Sequence, residues 1–162
     1  MASTLRPKTR SPAAKMPGKD KQLLLNAFLG GKIDGRDFHH ADHVRVGFEL
    51  LCRHTFPDAL AAYSAALKGI AKRAGNPRAY HETITVAFLS LIAEHHAAGT
   101  YTDFEAFIED NPQLMDKSIL ERWYAPERLL SDIARKTFVM PNGDRLWPEP
   151  GGKARTRGAG RQ

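Results

Sequence analysis

Residues 37–55, DFHHADHVRVGFELLCRHT, decide the fold. At about 100° per residue, Val44, Gly47, Phe48 and Leu51 gather on one side with His40 in the middle of their stripe. His43 and His54 share that stripe, whereas Asp42, Glu49 and Arg53 make the opposite, wet face. Asp37 is a good N-cap for a helix that extends to about Thr55. An amphipathic helix of this kind needs partners of the same kind, and the flanking sequence supplies them.

Working outward, Lys21 to Leu29 reads as a short first helix that stops at Gly30-Gly31, and Asp34-Gly35 makes the turn into the second. Pro57 suits the first turn of an alanine-rich third helix ending near Gly75. Asn76-Pro77 repeats the cap-then-proline signal, and the fourth helix continues to about Ala98 before Gly99. Thr102 with Glu105 forms a capping-box pattern for a short helix. Pro112 begins a helix that reaches Tyr124, and Pro126 begins another to about Lys136. Phe138 to Trp147 contains Asn142-Gly143, the signal of a small hairpin. The expected fold is an all-α helical bundle of four to six helices with a short C-terminal hairpin.

At 162 residues the chain fits one domain plus tails, and 42% hydrophobic with 26% charged residues is ordinary globular composition. The net charge of +6 sits in the ends: residues 1–22 carry +5 and residues 148–162 carry +3, so the part between them is mildly acidic at −2. Both ends are rich in Pro, Gly, Ser and Ala, a composition that cannot offset its own ordering entropy. Residues 1–20 and 148–162 therefore read as disordered basic tails around a bundle domain at 21–147. With no basic groove on the folded part, sequence-specific nucleic-acid binding is not expected. The longest mainly apolar stretch, Ile84 to Ile92, is too short to cross a bilayer, and no apolar leader follows a charged start. The single cysteine, Cys52, excludes an internal disulfide and fits a reduced, cytoplasmic setting. It reads as an inert thiol, because no basic residue stands at helical spacing from it.

All seven histidines fall in the second and fourth helices: His39, His40, His43, His54, His81, His95 and His96. On the fourth helix His81 lies mid-stripe with Ile84, Phe88, Leu91 and Ile92, and with Thr85 beside it, while Thr83, Ser90 and Glu94 lie opposite. In an up-down bundle the second and fourth helices run parallel, so their first turns share one end and His40, His43 and His81 should converge there. An i, i+3 histidine pair completed by a third from a neighbouring helix is the three-ligand, open-position arrangement of catalytic zinc or non-haem iron. Zinc or iron on His40, His43 and His81 is thus the expected cofactor. Asp42, Glu82 or Tyr124 would orient a ligand or move protons, in a metal-dependent small-molecule enzyme acting as a hydrolase or oxidoreductase.

The alternative is a non-enzymatic module that binds a small anionic ligand or a protein partner, since helix starts favour anions. An oligomer is compatible with either. Tyr80, Trp123 and Tyr124 could line the mouth of the pocket, and Ser131 with Arg128 and Arg135 has the spacing of an anion clamp. No phosphate-binding glycine loop, nucleophile elbow or paired-cysteine zinc pattern occurs, so kinase, elbow-type hydrolase and zinc-finger readings lose support.

Phe38-His39-His40-Ala41-Asp42-His43 and Tyr80-His81-Glu82-Thr83-Ile84-Thr85, followed by Arg122-Trp123-Tyr124 and Ser131, resemble a family of small uncharacterised bacterial helical proteins over Ile33 to Trp147. The resemblance implies the helical fold and the limits of the motifs, and it implies no reaction. More loosely, the histidine-lined bundle resembles the damage-inducible metal-binding bundles and the hemerythrin-like bundles. The former place a histidine pair on the last helix, and the latter need histidine-to-acid spacings that this chain lacks, so both likenesses stop at the fold.

Overall fold

The computed structural model describes residues 18–141, with side chains from residue 22 onward. The chain is all-α: α1 is Gly18–Leu29, α2 His40–Leu51, α3 Phe56–Arg73, α4 Glu82–Ala97, α5 Phe104–Asp110, α6 Pro126–Leu129 and α7 Asp132–Lys136. Short 3-10 turns stand at Pro77–Ala79, Pro112–Met115 and Ile119–Arg122. Among the described residues there is no strand, and none of the helices is long and apolar enough to cross a membrane. The tails, apart from the backbone at Gly18 to Asp20, and the Asn142-Gly143 turn of the expected hairpin lie outside the described residues.

Helices α2, α3 and α4 pack against one another, and α4 is also covered by α7. Two apolar clusters result. One joins Val44 and Phe48 of α2 to Phe88 and Ile92 of α4 and to Phe107, Leu114, Ile119 and Tyr124. The other joins Leu25 and Phe28 of α1 to Phe38, Val46, Leu50, Tyr63, Ile70 and Leu89. Gly47 allows the close approach of α2 and α4, since a Cβ there would stand 3.0 Å from Ile92 Cδ1 and 3.2 Å from Leu89 Cδ1.

Several helix limits differ from the expected ones for local reasons. Helix α2 starts at His40, with His39 rather than Asp37 as its N-cap. The chain stays extended long enough to bury Phe38 against Phe28, with ring centroids 5.3 Å apart. Phe38 then meets His43 across the cap at 4.4 Å, the hydrophobic staple of a helix start. Helix α4 starts at Glu82, not after Asn76, because Pro77 opens a 3-10 turn and His81 caps the helix, its Nδ1 accepting from the Ile84 amide. The α5 cap is Asp103, one residue past Thr102. The two expected C-terminal helices are each broken. Ser131 accordingly caps α7, its Oγ accepting from the Ala134 amide and donating to the Arg128 carbonyl.

Thr83, expected on the wet face of α4, is fully buried. Its hydroxyl donates to the Thr137 carbonyl at 2.8 Å and accepts from the Val139 amide at 3.1 Å. That strap of chain gives α4 a second buried side.

Candidate ligand cavity at the starts of α2 and α4

The two apolar clusters leave a cavity of about 560 Å³ between them, at the end of the molecule where α2 and α4 begin. His40, His43 and His81 all line it, so the expected convergence of two helix starts on one hollow is what the fold produces. Phe38, Tyr63, Leu67 and Ile70 close one side, Ile84, Phe88 and Leu120 the other. Tyr80 and Thr85 add hydroxyls, and Arg36 and Lys117 lie on the exposed rim. Its lining includes no carboxylate.

Each imidazole is held by one of its nitrogens. His40 Nε2 donates to the Leu114 carbonyl at 2.9 Å, while its ring rests 5.1 Å from Phe88. His43 Nδ1 is 3.4 Å from the Tyr63 hydroxyl, which also donates to the His43 carbonyl at 3.3 Å. Burial, then the neighbouring His40 ring, push the His43 pKa down to about 4, so this ring is neutral near pH 7. Tyr63, 1% exposed, has its phenol pushed up by burial and stays protonated.

His81 is only 6% exposed. Its Nδ1 accepts the Ile84 amide at 3.3 Å, which puts the ring proton of the neutral form on Nε2, and Nε2 is buried without a hydrogen-bond partner. The Leu129 carbonyl also bears on the ring and favours its charged form, without the geometry of a hydrogen bond to Nε2. Burial, then Arg135, lower the pKa of His81. The Tyr80 hydroxyl is likewise buried, and its proton finds no acceptor. Lys68, whose Nζ lies 4.7 Å over the Tyr80 ring, can only donate, so the phenolic proton has nothing to go to.

The carboxylates expected at the site are placed elsewhere. Asp42 accepts the His39 amide at 2.8 Å and so serves the α2 cap, while Glu82 pairs with Lys68 at 3.3 Å. Tyr124 is buried in the first apolar cluster, its hydroxyl donating to the Val139 carbonyl at 3.0 Å. None of the three lines the cavity, because in each case a nearer backbone group or cation takes the polar atom. Trp123 is exposed outside it. Ser131 serves the α7 cap, Arg128 donates to the Met140 carbonyl and Arg135 to the Arg78 carbonyl, so the expected clamp is an arrangement of caps.

Among the described residues no three His, Cys, Asp or Glu side chains are grouped so that they could hold a metal ion. The physical obstacle is at His81, whose lone pair at Nδ1 is committed to its helix cap.

Tyr63 is the residue that sequence reasoning missed. The signal was a single tyrosine in an alanine-rich helix. Cys52 does have a basic neighbour, His96 Nε2 at 3.5 Å, brought by the fold from α4. Burial, then the charge of Glu49, push the thiol up, so it stays a protonated donor.

No family model matches the chain, and neither a curated protein nor a solved structure does.

Proposed function

We propose that the protein binds a small organic anion in the cavity between α2, α3 and α4. The observation that carries this reading is a lining with two buried donors that have no acceptor, the Tyr80 hydroxyl and the His81 ring N–H, and no carboxylate. A buried donor left unsatisfied costs about 1–3 kcal/mol, and an oxyanion from the ligand would recover that cost. Two further features act in the same direction. Helices α2 and α4, of 12 and 16 residues, both direct their positive ends to this side. Lys117 at the rim makes no ion pair among the described residues. The apolar walls take the body of the molecule, and the cavity volume is ordinary for a small-molecule site.

The test is a thermal-shift comparison of carboxylates with amines of matched shape, benzoate against benzylamine and hexanoate against hexylamine. Anion binding raises the melting temperature by several degrees at about one hundred times the dissociation constant, and the amines leave it unchanged. Equal shifts from the amines, or no shift from any anion, would overturn the reading.

A second reading keeps zinc or iron on His40 and His43. The support for it is the Leu114 carbonyl on His40 Nε2 and the Tyr63 hydroxyl on His43 Nδ1, which hold one nitrogen of each ring as the outer partners of metal-ligating histidines do. His81 joins such a pair only by giving up its cap. Elemental analysis of protein supplied with both metals separates the readings: near-stoichiometric metal that disappears in His40→Ala selects the second.

A further inference from the structure

Besides His81, six of the side chains that line the cavity are rings: Phe38, His40, His43, Tyr63, Tyr80 and Phe88. They come from four different parts of the chain, and five of them are held by contacts with other rings. Phe28 stacks on Phe38 with 20° between the planes, and Phe38 meets His43. Phe28 also tilts against Tyr63 at 5.7 Å, and His40 lies against Phe88.

We infer that the occupant is a planar aromatic molecule of one or two rings that carries an oxyanion, the ring seated among these side chains and the oxyanion turned to the Tyr80 and His81 donors. This inference rests on the anion-binding reading of the same cavity and narrows its ligand class.

The physical reason is that an aliphatic acid gains from such walls only the burial of its surface, whereas a ring gains offset-stacked and edge-to-face contacts in addition. The rings are already held in place by neighbours, so little ordering is left to offset the gain. A volume of about 560 Å³ admits one or two fused rings with their substituent.

The experiment is calorimetric titration of the full chain with benzoate, 1-naphthoate and cyclohexanecarboxylate, the last a saturated match in size and charge. The aromatic acids are expected to bind roughly 3–10-fold more tightly than the saturated one. Tyr80→Phe keeps the ring and removes the donor, so it should weaken all three acids and preserve their ratio. Equal or tighter binding of cyclohexanecarboxylate overturns the aromatic inference and leaves the anion reading standing. A ratio that collapses in Tyr80→Phe also overturns it, since the preference would then lie in the hydroxyl. Failure of all three acids to bind overturns both.

Discussion

Acidification should destabilise the protein through His43 in a calculable way. In the folded chain the His43 ring stays neutral down to about pH 4, while in the unfolded chain it titrates near its ordinary value of 6.5. Between those values the unfolded state holds a proton that the folded state does not, so stability rises with pH in that window. The contribution is present in full above about pH 6.5 and is lost as pH falls through about 4. Taken from pH 7 to pH 4, it amounts to about 3 kcal/mol, at 1.36 kcal/mol for each pH unit. The comparison is wild type against His43→Gln, which keeps a polar side chain of similar length and cannot titrate. Urea unfolding at pH 7, 5.5 and 4 gives both stabilities, and groups common to both proteins, including His81, cancel. Wild type should lose about 3 kcal/mol more than the variant over that range. Parallel losses, within about 0.5 kcal/mol, would refute a buried neutral imidazole at this position.

Other perturbations have equally definite outcomes. Thr83→Val removes the hydroxyl that joins the Thr137 carbonyl to the Val139 amide and strands both, so urea unfolding should show a loss of about 1–3 kcal/mol. Gly47→Leu drives a side chain into Ile92 and Leu89 and should lower stability by about 1–3 kcal/mol, while in Gly47→Ala the gain in helix propensity offsets most of the crowding. Tyr80→Phe deletes a hydroxyl that has no acceptor, so the ligand-free protein should be as stable as wild type or more so by thermal melting. The same variant should bind benzoate about tenfold more weakly by calorimetry. Arg36→Ala breaks an exposed, solvent-screened ion pair with Asp34 and should leave the melting temperature unchanged.

The convergence of His40, His43 and His81 was legible because it follows from two periodicities and one level argument: an apolar stripe on each helix, and parallel helices whose first turns share an end. What the stripes could not show is which polar atoms are consumed by the helix starts themselves. Asp42 is the third residue after the His39 cap, the position whose carboxylate reaches back to the cap amide, and that use removes it from the cavity. The same holds for His81, which periodicity places inside α4 but which caps it. The five-residue shift of the cap from Asn76 to His81 turns Nδ1 from an open ligand into a committed acceptor. Phe38 moved the start of α2 because burying its ring outweighs the capping that Asp37 offers, about 1 kcal/mol. The C-terminal helices broke where other polar groups compete with helical continuation: His40 meets the Leu114 carbonyl, the Asp116 carboxylate accepts from the Ser118 amide and hydroxyl, and Ser131 turns its hydroxyl to the Arg128 carbonyl and the Ala134 amide. Tyr63 and the opposed rings around it required the packing of three helices, which spacing along one helix does not encode.

The most direct measurement is histidine side-chain nitrogen-15 NMR on the full chain at pH 7, with and without benzoate. Neutral rings are predicted at His43 and His81, with the His81 proton on Nε2, and benzoate should move the signals of both. Charged rings at these positions, or signals that stay still while benzoate binds elsewhere, would contradict an anion cavity built from neutral donors at the starts of α2 and α4.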